Sequence, residues 1–376
     1  MKRLITCVVA FTLFISILAG CSGNESERIS VPIEQPTEQQ QPIPKEPEPV
    51  TISDSEPKDE FEKISIIATI FPIYDWFCQI IGEENLYRFD LTLLLDSGID
   101  THSFSPSVSD ILKIQTSDVF FYVGGHSDEW VYDVMADADP FIITENLLDI
   151  LGDLTLQTPE LCFDDDYDDH SCTSHSHNHS HNDDCDDDDD DDLDFDTHDD
   201  EHVWLSLRNA QLFSIAIADT LSELDPENEQ VYIDNLNAYI AKLSILDSEF
   251  LAAVNNANVT TLVFADRFPF LYMMNDYGLD FYAAFSGCAA EAEASFATII
   301  SLAETVDKNS LNFVIVSETS DQSIARTVID NTSSSNQEIL VLNSMKTVTP
   351  GDIQNGVTFL SIMEGNLSVL NKALMN

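Results

Sequence analysis

The sequence predicts an α/β protein of two lobes, each a mainly parallel sheet flanked by helices. Three observations carry this. Short apolar runs alternate with segments of helical period along most of the chain, a pattern that suits parallel strands covered by helices. The alternation occurs twice, before and after one long helical stretch at 226–255. Once the leader, a polar segment and an acidic insertion are set aside, what remains suits two lobes of ordinary domain size.

Taken in order, the apolar run 64–70 is rich in Ile and reads as a buried strand. Pro72 interrupts it, and 74–81 reads as a helix closed by Gly82. Residues 89–95 form the second predicted strand. Ser105-Pro106-Ser107 then opens a helical pattern through Val108, Ile111, Leu112 and Ile114. A third strand at 119–123 stops at Gly124-Gly125, and 141–144 reads as a fourth. In the long helix Asp225 suits the N-cap and Pro226 the first helical position. Its apolar residues recur at Leu236, Tyr239, Leu243, Leu246, Phe250 and Val254. Thirty positions would span about 45 Å, enough to run across both lobes. The second lobe has predicted strands at 261–265, 280–285, 312–316 and 338–342. Its predicted helices are 270–277, 295–308, 323–330 and 353–372.

Composition bounds the function. With 68 acidic against 15 basic residues the formal net charge is −53. That excludes a general binder of nucleic-acid phosphates, which needs a basic face, and it fits a cationic ligand. No G-x-x-x-x-G-K-[ST] loop occurs, so the chain does not hydrolyse ATP by that route. Lys2 and Arg3 precede an apolar run from Leu4 to Leu18, too short for a comfortable membrane span. Leu18-Ala19-Gly20-Cys21 resembles a bacterial lipobox, which implies cleavage before Cys21 and lipid on its sulfur, with the mature chain outside the cytoplasm. Residues 21–60, rich in Pro, Glu, Gln and Ser, are expected to be an extended tether. The remaining cysteines, Cys78, Cys162, Cys172, Cys185 and Cys288, are odd in number and irregularly spaced, which is not a disulfide framework.

The expected layout is therefore a signal peptide at 1–20, a tether at 21–60, a first lobe at 61–225, a linking helix at 226–255 and a second lobe at 256–376. Within the first lobe, 164–199 is a His/Asp-rich loop. It sets His170, His175, His177, His179 and His181 beside an unbroken acidic run at 186–192. Imidazole nitrogens and carboxylate oxygens are ligands of divalent cations. Near-alternate histidines suggest several weak, exchangeable sites that raise the local metal concentration.

In open α/β sheets, ligands bind beyond the carboxyl ends of the strands. Polar residues that follow the predicted strands are Asp96 through His102, Asp266-Arg267, Ser317-Glu318 and Asn343. Potential ligands thus fall at strand ends in both lobes, which suits a metal held in an interlobe cleft.

Here a family resemblance becomes specific. Ala68-Thr69-Ile70-Phe71-Pro72-Ile73-Tyr74 looks like the opening strand of the zinc- and manganese-binding lipoproteins of ABC importers. Gly98 through His102, with Phe104-Ser105-Pro106-Ser107, resembles their first ligand loop, G-x-x-x-H-x-[FY]-x-P-S. Asp200-Glu201-His202-Val203-Trp204-Leu205 resembles their second, D-x-H-x-W-L, and a His-rich acidic insertion before it marks the zinc members. The resemblance implies two α/β lobes joined by one long rigid helix, capture of Zn²⁺ or Mn²⁺ outside the cell, and delivery to a membrane permease. It makes His102 and His202 ligands. The family's third ligand, His or Glu, aligns with Arg267, which stays protonated and cannot ligate a cation. Asp266, one residue earlier, is the substitute candidate. The fourth, usually Asp, aligns with Asn343, a weaker neutral oxygen donor.

The expected function is therefore a lipid-anchored, monomeric solute-binding protein for Zn²⁺, with Mn²⁺ second, that serves an ABC permease and is not an enzyme. Two rival readings differ in class. One is a surface metal buffer or adhesin without a transport role. The other is a zinc peptidase, because His198-Asp199-Asp200-Glu201-His202 fits H-x-x-E-H, which on a helix would put both histidines on one face with Glu201 as general base. The flanking Asp-rich run and Val203-Trp204-Leu205 argue against that helix. Glu318 is expected to be structural, His126 a surface residue, and Trp76, Trp130 and Trp204 packing residues.

Overall fold

The structure, a computed structural model, describes residues 62–96, 101–159, 198–285 and 294–376. Cys21, the tether, the five loop histidines, the acidic run, Cys162, Cys172, Cys185, Cys288 and residues 97–100 of the first motif lie outside the described residues.

The first lobe follows the predicted alternation. It comprises β1 (Ile64–Ala68), α1 (Phe71–Ile81), β2 (Phe89–Leu93), α2 (Val108–Gln115), β3 (Val119–Tyr122), α3 (Trp130–Met135), β4 (Ile143–Asn146) and α4 (Leu147–Leu151). The four strands are all parallel, in the order β2-β1-β3-β4. Ile66, Ile67 and Ala68 are buried in succession, as expected of a strand covered on both faces. The strand ends at Ala68, before Pro72 is reached, and the predicted helix at 74–81 starts earlier, at Phe71: Pro72 sits in its first turn and helps open it, because its missing N–H falls where no intrahelical partner exists.

Two long helices follow, α5 (Leu207–Leu224) and α6 (Glu229–Asn255), packed on each other. The first was not among the predicted elements. Its signal is nonetheless present: Ser206 caps it through Arg208 N and Asn209 N, and Leu207, Ala210, Phe213, Ile217 and Leu221 are buried at helical spacing. The predicted helix at 226–255 begins instead with a short 3₁₀ turn, Pro226–Asn228, and α6 runs about 40 Å from there. Asp225 precedes Pro226 as expected, but its side chain does not cap. The buried carboxylate takes Arg88 at 3.0 Å and the Tyr232 hydroxyl at 2.7 Å. A guanidinium and a phenol compete for it more strongly than a single backbone N–H does.

The second lobe comprises β5 (Thr261–Phe264), α7 (Leu271–Tyr277), β6 (Asp280–Ala283), α8 (Phe296–Lys308), β7 (Phe313–Ser317), α9 (Ser323–Asp330), β8 (Glu338–Leu342), α10 (Pro350–Gln354) and α11 (Phe359–Met375). Its sheet is again all parallel, in the same topology, β6-β5-β7-β8. The single helix predicted at 353–372 is broken. Gly356 adopts φ +87°, open to glycine at little cost, and Thr358 starts α11 with a capping box. The break delivers Phe359 into the core against Trp76, with ring centroids 5.3 Å apart.

One apolar core is continuous across both lobes. It runs from the β1–β3 strands through Trp76, Phe213 and Phe250 to Phe264, Phe270 and Leu374. A second core, with Val314, Val316, Leu302 and Val328, lies between the second sheet and α8 and α9. Asp75 of α1 ties the lobes further by accepting the Phe359 N–H at 3.0 Å.

Candidate metal centre

His202 is built into the structure before any ligand is considered. Asp200 N donates to Leu156 O, and the Tyr272 hydroxyl donates to Asp200 O at 2.9 Å. His202 then leads into a 3₁₀ turn, Val203–Leu205, whose three side chains are all buried. Trp204 donates from Nε1 to Ser344 O at 3.0 Å, which ties this segment to the second lobe. His202 is only 2% exposed. Its Nδ1 lies 3.1 Å from Asp200 Oδ1. A carboxylate only accepts, so Nδ1 carries the proton and Nε2 the lone pair.

His102 sits in a short turn, Thr101–Ser103, between β2 and α2. The next helix is set by a capping box in which Ser107 and Asp110 hold each other's backbone N–H. The His102 side chain is about a third exposed. Its Nδ1 lies 2.6 Å from Ser127 Oγ. The His102 and His202 ring centroids are 5.6 Å apart. Two imidazoles a hundred positions apart in the chain are therefore neighbours.

The loop after β3 contacts His102 and holds Glu201, the neighbour of His202. Asp128 accepts from Val123 N and Gly124 N, each at 3.0 Å. Burial pushes its carboxyl up to about 6 despite those two bonds. Ser127 N donates to Glu201 Oε1 at 2.8 Å, and Ser127 Oγ donates to Glu201 Oε2. Gly125 has φ +78°, and a Cβ there would lie 2.6 Å from Glu201 Oε1. Ser127 and Asp128 were not singled out in the sequence. The available signal was the Gly124-Gly125 pair after a strand, which marks close approach.

The other expected ligands are engaged in their own lobe. Asp266 follows β5, and its Oδ2 accepts from Ser317 N at 3.0 Å and Ser317 Oγ at 2.6 Å. It does not cap α7, whose N-cap is Phe270. Asn343 follows β8, and its Oδ1 accepts from Met345 N at 2.7 Å. Both lie at the carboxyl ends of strands. Among the described residues, no group of three or more His, Cys, Asp or Glu side chains is arranged to hold a metal ion.

Glu318, His126 and the three tryptophans have structural, surface and packing positions. Glu318 holds Ser344 N, Ser344 Oγ and Lys346 N. His126 is exposed and pairs with Glu129, which raises its pKa. Trp76 and Trp204 are buried, and Trp130 packs on Phe104 and Phe120. Residues 198–202 are not helical, so His198 and His202 do not share a helix face. His198 instead stacks on His126.

Fold and site together define a two-lobed α/β binding protein with paired imidazoles beside the lobe border. The sequence model of the family described as ZnuA, zinc-uptake complex component A, periplasmic, matches residues 66–373, and the chain belongs to that family. The zinc-binding lipoprotein AdcA of Streptococcus pneumoniae serotype 4 is 27% identical over 310 residues, covering 82% of this chain and 56% of the relative. The high-affinity zinc uptake system protein ZnuA of Bacillus subtilis is 23% identical over 318 residues, covering 84% and 88%. The crystal structure of the Zn(II)-bound ZnuA-like domain of Streptococcus pneumoniae AdcA matches with a TM-score of 0.61 at 26% identity, covering 84% of this chain and all of that one. The chain spans a little over half the length of the AdcA relatives it matches. No helix among the described residues is long and apolar enough to cross a membrane.

Proposed function

We propose that the protein captures Zn²⁺ outside the cytoplasm and delivers it to an ABC permease for uptake, with Mn²⁺ as the second choice. The observation that carries this is the His102–His202 pair at 5.6 Å in a chain of the zinc-uptake family. Borderline Zn²⁺ suits imidazole better than Mn²⁺ does, since Mn²⁺ leans to oxygen ligands. The likeness to a Zn(II)-bound domain at 26% identity supports the same choice.

His102 and His202 grip the ion. Asp266, and more weakly Asn343, supply oxygen donors from the second lobe, where each sits at a strand end. The loop histidines, His170, His175, His177, His179 and His181, feed this site with weakly held ions. Lipidated Cys21 anchors a monomer to the membrane, and residues 21–60 hold it off the surface. We read it as a binding protein and not an enzyme; against the zinc-peptidase reading, Glu201 spends both carboxylate oxygens on Ser127, and the H-x-x-E-H segment lacks the helix such a catalyst uses.

Calorimetry with Zn²⁺ and competing Mn²⁺ tests the reading on wild type, His102→Ala, Asp266→Ala and a chain lacking residues 164–199. The alanine at position 102 should abolish one tight site and spare weak binding. The loop deletion should lower stoichiometry and keep the tight site. Unchanged tight affinity in His102→Ala would remove the site from this pair. Loss of tight binding with the loop would move it there.

A further inference from the structure

Glu201 has a buried carboxylate with no part in the proposed ligand set. It is 9% exposed, beside a ligand it does not itself reach well: His102 Nδ1 is 3.6 Å from its nearer oxygen, beyond good hydrogen-bond length. Ser127 fills the gap. Its backbone N–H goes to one carboxylate oxygen and its hydroxyl to the other. The carboxylate is thereby clamped at both ends.

A serine hydroxyl has a single proton. Given to Glu201, it cannot also be given to His102. The 2.6 Å contact between Ser127 Oγ and His102 Nδ1 must then run the other way, with Nδ1–H donating. The lone pair of the neutral ring therefore lies on Nε2. His202 reaches the same tautomer by a direct bond to Asp200. Adjacent residues, Asp200 and Glu201, thus serve the two imidazoles separately, one directly and one through a hydroxyl. The packing is specific to this arrangement, since any Cβ on residue 125 would meet the Glu201 carboxylate at 2.6 to 2.9 Å.

We propose that Glu201 is a positioning residue for metal capture, acting through Ser127 to hold the His102 ring in the orientation and tautomer that make Nε2 its ligating nitrogen. This rests on the reading that His102 is a metal ligand. The group that fixes a ligand's second nitrogen typically matters about tenfold to a hundredfold in metal affinity.

The test uses the full chain, with wild type, Glu201→Ala, Ser127→Ala, the double variant, Ser127→Thr and His102→Ala. Zinc affinity is read by chelator competition. The His102 tautomer of the metal-free protein is read by long-range ¹H–¹⁵N NMR, and folding is checked by thermal melting. Ser127→Ala keeps the backbone bond to Glu201 and is the variant least able to disturb the fold. Wild type should have Nδ1–H at His102. Glu201→Ala and Ser127→Ala should lose that fixed tautomer and bind zinc about tenfold to a hundredfold more weakly. The double variant should be no weaker than Ser127→Ala, because one relay is broken once. Ser127→Thr keeps the hydroxyl and should restore both readouts. If Glu201→Ala and Ser127→Ala keep wild-type affinity and tautomer while His102→Ala abolishes tight binding, the positioning role is wrong and the site stands. If the two losses multiply in the double variant, Glu201 does not act through Ser127. If His102→Ala also keeps tight binding, the reading beneath the proposal fails instead.

Discussion

Replacing Asp75 by asparagine should remove a loss of stability that the wild type undergoes as pH rises from acid to neutral. Asp75 lies in α1 at 5% exposure, where it accepts from Phe359 N at 3.0 Å and from Gln79 Nε2 at 3.3 Å. Burial raises its carboxyl from 3.8 to about 6, and the two bonds only partly offset that. The difference corresponds to about 3 kcal/mol at about 1.36 kcal/mol per pH unit. The folded protein holds this proton more tightly than the unfolded chain. The stabilising contribution is therefore complete below pH 3.8 and is lost as pH rises through about 6. Asparagine keeps an oxygen for Phe359 N and carries no charge at any pH. The assay is urea unfolding of both metal-free proteins from pH 3.5 to 8, with the wild-type free energy subtracted from that of Asp75→Asn. Other titrating groups cancel in the difference. The difference should climb by about 2.4 kcal/mol between pH 4 and pH 7 and then level off. A flat or falling curve would refute the account of Asp75 as a buried carboxylate only partly compensated by its two hydrogen bonds.

Three further outcomes follow from the same structure. Gly125→Ala introduces a Cβ against Glu201 at a φ of +78°; it should cost about 1–3 kcal/mol in urea unfolding and weaken zinc binding by calorimetry, where an alanine at exposed Gly351 should do neither. Arg88→Met leaves the buried Asp225 carboxylate without its guanidinium, so unfolding should become easier by about 3–5 kcal/mol while metal stoichiometry stays the same. Zinc affinity measured by competition should fall steadily as pH drops from 7.5 to 5.5, because each imidazole must shed a proton to ligate; a pH-independent affinity would point to a site without histidine.

Most of the fold was legible because hydrophobic period and cap residues are local properties. Ser107 with Asp110, and Ser295 before α8, cap where a reader of the chain would place a helix start. The errors fall where a local signal has two physical outcomes. Pro72 opens α1 rather than ending a strand region. Asn355-Gly356 splits what reads as one helix, since glycine is tolerated within a helical pattern as well as at its end. Asp225 has the chemistry of a cap, but an arginine 137 positions away claims it. The helix α5 was missed although Ser206 and its buried stripe were visible.

The sequence alone determined the two-lobed parallel architecture and named His102 and His202, because motif spacing and the alternation of strand and helix need no long-range geometry to be read. Only the tertiary structure decided what surrounds them. The clamp of Ser127 on Glu201, the bond of Asp200 to His202, and the placing of Asp266 against Ser317 each join a side chain to a partner set by folding. Hydrogen bonds of that kind depend on distances of a few tenths of an ångström and on the donor's direction. Neither is a property of residue type or order.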